Sequence, residues 1–168
     1  REERAVQEAK QTPASFHVLG LLALVGTTLQ SRAEVVELVA KLRMPAEQRD
    51  AQLALTNSDP EVVVPVVLEA LSAAREPTGL WDWRANAYEV LADVGGDAPT
   101  SISDPVWARA LLDGLDHEKQ PIRSICLRSL PRLDPLVAPN VVERACEFLA
   151  APSPPTVASA CSVLGEMG

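Results

Sequence analysis

From Glu34 onward, apolar residues recur at intervals of three and four, the spacing that lines one face of a helix. The pattern predicts helices over Glu34–Arg43, Ala46–Asn57, Pro60–Arg75, Trp81–Val94, Asp104–Leu115, Pro121–Leu133, Val137–Ala150 and Pro155–Met167. Breakers fall between them: Asn57-Ser58-Asp59-Pro60, Glu76-Pro77-Thr78-Gly79, Gly95-Gly96-Asp97-Ala98-Pro99 and Pro152-Ser153-Pro154-Pro155. Asp59-Pro60 and Asp104-Pro105 each put an N-capping acid before a proline at the first helical position. Two glycines after Val94 suit a left-handed helix stop. The β-branched run Glu61–Val67 invites a strand, but Pro65 would interrupt a sheet ladder, so the run reads as the first turns of a helix bent at that proline.

The helices repeat. In every second helix a small residue is followed four positions later by leucine: Ala51 and Leu55, Ala87 and Leu91, Cys126 and Leu130, Ala160 and Leu164, at offsets of 36, 39 and 34 residues. Leu71, Leu115 and Leu149 give a weaker echo in the first helices. A small residue lets a neighbouring helix approach, and a leucine one turn on fills the space beside it. One helix pair cannot bury its own apolar face, whereas stacked pairs form a continuous core. The expected fold is all-α, an α-solenoid of about four stacked antiparallel helix pairs.

The stretches RANAYEVLADVGGDAP (Arg84–Pro99), IRSICLRSLPRLDP (Ile122–Pro135) and TVASACSVLGEMG (Thr156–Gly168) resemble the second helices of bacterial HEAT-like, armadillo-type repeats, which end in Leu-Gly-x-hydrophobic-Gly. The resemblance covers residues 34–168. It departs from the family pattern at Pro131, where the helix would normally continue, and in a poorly formed first pair. It implies a non-catalytic scaffold that holds another protein, and an array truncated at both ends, with further repeats in the parent protein.

Residues 1–33 are separate in character. Between Gln11 and Ser31 there is no Asp, Glu, Lys or Arg, and the run Phe16–Gln30 is apolar almost all round a helix. Two readings stay open. The run is short for a spanning helix but suits a signal peptide or anchor, with Ser31-Arg32-Ala33 as a cleavage site, which places the protein in a bacterial envelope or outside the cell. Equally, His17 within the run and the balanced charge of the first ten residues suit a buried first helix of a cytoplasmic protein.

Charge narrows the partner. Residues 34–168 hold 11 Lys/Arg against 20 Asp/Glu, within a whole-chain charge of −8. Nucleic-acid binding replaces phosphate counterions with Lys and Arg, and an acidic body without a basic stripe is unsuited to it. The expected partner is a protein, with membrane contact only through the N-terminal segment.

Chemistry is sparse. Cys126, Cys146 and Cys161 lack zinc-ligand spacing, fall at small apolar helix positions and are expected to be buried free thiols; no cofactor or metal is expected. His117 reads as a solvated residue of the turn Asp116–Gln120. The candidate protein-binding residues are Trp81, Asp82, Trp83 and Arg84, because two tryptophans two positions apart on a helix cannot both face one core. The alternative for them is to cover the loop Glu76–Leu80. Some helical-repeat proteins are base glycosylases that use tryptophans and an aspartate, and Trp81, Asp82, Trp83 and Trp107 supply those types, but the charge opposes a DNA substrate. A relative of the bilin lyases has no residue here to argue for it. The expectation is that the chain is not an enzyme, with an envelope-anchored structural module as the second reading.

Overall fold

The computed structural model describes residues 31–74, 83–95 and 101–167. The N-terminal segment, including Phe16–Gln30, lies outside the described residues, as do Trp81 and Asp82. The described residues belong to a compact unit, Ser31–Gly168. They form eight α-helices: α1 (Arg32–Lys41), α2 (Gln48–Thr56), α3 (Pro60–Ser72), α4 (Trp83–Asp93), α5 (Pro105–Gly114), α6 (Gln120–Ser129), α7 (Val141–Glu147) and α8 (Pro154–Glu166). Among the described residues there is no strand, and an isolated bridge joins Ile102 to Leu133. No described helix is long and apolar enough to cross a membrane.

Local chemistry accounts for the helix ends. Ser31 and Glu34 form a reciprocal capping box, so α1 starts two residues before the apolar pattern does. The Asp59 carboxylate accepts from the Glu61 N–H at 2.9 Å, and Asp104 accepts from Val106 and Trp107 at 2.8 Å each. Both aspartates precede a proline at the first helical position, where no donor is lost. Gly95 has φ 97°, the left-handed conformation that glycine adopts without a side-chain clash, and its N–H reaches the Thr56 carbonyl at the end of α2. Pro65 sits inside α3, on an exposed position. Pro131 has a larger effect: α6 gives way to a 3-10 turn at Leu130–Arg132, because proline cannot donate the next helical hydrogen bond.

The helices contact one another in a regular order. Sequential partners touch: α1 with α2, α3 with α4, α5 with α6, and α7 with α8. The odd-numbered helices α1, α3 and α5 also touch in succession, and so do the even-numbered α2, α4, α6 and α8. One contiguous apolar core runs from Val35 in α1 to Val163 in α8. The small-residue and leucine positions lie in it: Ala51, Leu55, Ala87, Leu91, Cys126, Leu130 and Ala160 are all at least 98% buried, and Leu164 is partly buried against them. Each such leucine contributes roughly 1.5–3 kcal/mol by leaving water.

Two expectations about side chains need correction. Cys126 is buried, but Cys146 and Cys161 are exposed, although all three are free thiols. Both stand among apolar residues at three- and four-residue spacing, Val142 and Leu149 beside Cys146 and Val157 and Leu164 beside Cys161, yet both side chains are exposed. His117 is half-buried and not simply solvated: its Nδ1 accepts from the Lys119 N–H at 3.1 Å, and its ring meets the edge of Tyr88 at 6.3 Å.

Candidate functional site

The even-numbered helices present their polar sides to an open groove of about 850 Å³. From α2 and the residue after it come Arg49, Asp50, Gln52, Leu53, Thr56 and Asn57. Ala92 and Asp93 come from α4, Arg128 and Ser129 from α6, Pro131 and Arg132 from the 3-10 turn, and Glu166 from α8. Counted from the small core residue of each helix, the second and sixth positions supply Leu53 and Asn57, Asp93, Arg128 and Arg132, and Glu166. These positions point away from the leucine face, so the groove arises from the same register that builds the core.

Its electrostatics are mixed. Three arginines face three carboxylates, so the groove lacks the acidity of the chain as a whole. Arg128 spans two helices, at 2.7 Å from Glu89 and 3.7 Å from Asp93. Burial works against the Arg128 charge, but the hydrogen bond and charge of Glu89, helped by Asp93, outweigh it and raise the guanidinium above its ordinary value. Asp93 is the less favoured member: loss of solvent raises its carboxyl above the usual range, with Arg128 only partly opposing. Arg132 is held below its ordinary value by burial.

Arg132 also has a structural task. Its guanidinium donates to the carbonyl of Ala92 and, at 2.8 Å, to that of Val94, satisfying acceptors left open at the end of α4. It lies 5.9 Å from the Trp107 ring centre, and the Trp107 indole N–H donates to the Leu91 carbonyl at 3.0 Å. Trp107 is therefore a buried helix-end cover, engaged by its only side-chain donor.

Of the four residues singled out in the sequence, Trp83 and Arg84 are described. Trp83 opens α4, half-buried against the core, with the Arg43 guanidinium 4.4 Å over its ring. Neither Trp83 nor Arg84 lines the groove. Conspicuous aromatics draw attention away from the residues that do line it; the signal for those is the polar second and sixth positions of the repeating register.

For chemistry, the described residues offer little concentrated reactivity. Burial pushes the Cys126 thiol up to about 12, so it stays protonated near neutral pH and is a poor nucleophile. No group of three or more His, Cys, Asp or Glu residues is placed to hold a metal among the described residues. What the arrangement can do is bind: it offers separated charges of both signs, amide and hydroxyl groups, and the 64%-exposed Leu53 along one trough. Comparison with protein families, curated proteins and solved structures finds no match for the chain.

Proposed function

We propose that the chain is an α-solenoid of four HEAT-like helix pairs, and that it works as a non-catalytic scaffold holding a segment of another protein in the groove of its even-numbered helices. The supporting observation is that one groove draws equivalent register positions from successive helices, Leu53 and Asn57, Asp93, Arg128 and Arg132, and Glu166. Such repetition along a row suits an extended ligand that meets one helix after another. Contacts in succession from α1 to α3 to α5 and from α2 to α8 support the stacked reading. The balanced charge favours a polypeptide of mixed charge over a polyanion, whose phosphates would meet Asp50, Asp93 and Glu166.

The test is selection of peptides from a random display library on the immobilised chain, followed by measured affinities. Leu53→Asp combined with Arg49→Glu is expected to weaken the selected peptides by more than about tenfold, or about 1.4 kcal/mol. Val106→Asp, on the exposed side of α5, is the control and is expected to leave affinity unchanged. Peptides that bind the double variant as well as the parent would place binding elsewhere and remove the groove from the proposal.

A further inference from the structure

The three arginines of the groove are not equivalent. Arg128 is engaged by Glu89 and Asp93, at 2.7 and 3.7 Å, and Arg132 is bound to the carbonyls of Ala92 and Val94. Arg49 is exposed and lines the groove, and its side chain has no hydrogen bond or ion pair among the described residues. A helix dipole opposes a cation in the first turn, so Arg49, the second residue of α2, adds nothing to the stability of that helix. At the same register position the other even-numbered helices carry Ala85, Ser124 and Ala158, none of them charged.

The direction of the side chain matters as much as its charge. With about 3.6 residues per turn, Arg49 lies roughly 160° round α2 from the buried Ala51 in one sense, and the exposed Leu53 roughly 160° in the other. The two therefore straddle the line of the helix that points straight out of the core, one turn apart and neighbours on its surface. Asp50 is turned about 100° away from Arg49, toward the flank of the helix.

We infer that the segment held in the groove carries an acidic residue directly beside an apolar one, the carboxylate meeting Arg49 and the apolar side chain meeting Leu53. The inference rests on the groove reading and names what α2 recognises. A strand laid across α2 sends successive side chains to opposite sides of its path. One points toward the start of the helix, where Arg49 stands, and the next toward Leu53. Arg128 is a poorer partner for that carboxylate, because binding there would displace Glu89 or Asp93.

The test uses peptides selected by display on the immobilised chain, with Arg49→Ala, Arg49→Glu and Leu53→Asp as separate variants. Both positions are exposed, so all three variants are expected to keep the helical content of the parent. Selection on the parent is expected to return Asp or Glu next to an apolar residue, and selection on Arg49→Glu to return Lys or Arg in the acidic position. For a parent-selected peptide, replacing its acidic residue by the amide is expected to weaken binding about threefold on the parent, the size of an exposed ion pair, and to change nothing on Arg49→Ala. Replacing it by Lys is expected to restore binding to Arg49→Glu. Peptides that Leu53→Asp weakens but that carry no acidic residue, or whose acidic residue contributes equally on Arg49→Ala, keep the groove and overturn this inference. Peptides indifferent to Leu53→Asp and Arg49→Ala alike bind elsewhere, and both readings then fall.

Discussion

The middle of the helix row and its last pair use the same register but meet different surroundings. Between α4 and α6, small residues and leucines are sealed, Arg128 links Glu89 and Asp93 across the helices, and Arg132 closes the end of α4. In α7 and α8 the corresponding residues are shorter or uncharged: Ser162 replaces Arg128 and Gly165 replaces Pro131, and the outward side is open. A repeat in sequence thus decides which face a residue occupies, while burial depends on whether another helix lies against that face. The difference is measurable because equivalent substitutions should have unequal costs.

The largest contrast is between leucines. Leu130 is fully buried between the helices, so Leu130→Ala should leave a cavity and cost about 2–5 kcal/mol. Leu149, 42% exposed, already contacts water, and Leu149→Ala should cost less than about 1 kcal/mol. Urea denaturation checks both, and equal losses would show that the last pair is as tightly held as the middle.

Glycines give the next contrast, with opposite signs. A Cβ on Gly114 would lie 2.3 Å from Cys126 Sγ and 2.8 Å from Tyr88 Cε1. These side chains sit in or against the core and cannot both withdraw freely, so Gly114→Ala should cost about 1–3 kcal/mol. Gly165→Ala meets nothing and should stabilise α8 by up to about 1 kcal/mol through helix propensity. Thermal melts of the two variants should therefore shift in opposite directions. A stabilised Gly114→Ala would mean that the α5–α6 contact has slack.

Much of the fold was legible because helical period and helix punctuation are local. Asp59-Pro60 and Asp104-Pro105 start helices as expected, and the small-residue and leucine register lies in the core. Non-local facts were less legible. Cys146 and Cys161 have the surroundings of core residues in sequence, yet their burial depends on whether another helix packs against them in space. Arg132, two residues beyond Leu130 and just past a proline, gave no hint that it would reach the Ala92 carbonyl 40 residues earlier. The groove was the least visible feature, since it consists of ordinary polar residues whose meaning comes only from alignment of successive helices.

The smallest contrast concerns the ionic link from Arg128 of α6 to Glu89 and Asp93 of α4. Asp93 has its carboxyl raised above the unfolded value, chiefly by loss of solvent, so the folded state holds that proton more tightly than the unfolded state does. Stability from this group is accordingly full below the unfolded carboxyl range and declines as pH rises through the raised value. Asp93→Asn should then gain on the parent between about pH 4 and about pH 7, by less than about 1 kcal/mol, because the site is partly open to water and Arg128 keeps Glu89 at 2.7 Å. Urea midpoints at the two pH values for parent and variant give the measurement. If Asp93→Asn instead loses ground as pH rises, the attraction of Arg128 outweighs desolvation, and the carboxylate contributes to holding α4 and α6 together. The corresponding position in the last pair, Glu166, accepts from the Ser162 hydroxyl at 3.4 Å on an exposed face, so Glu166→Gln should change stability little.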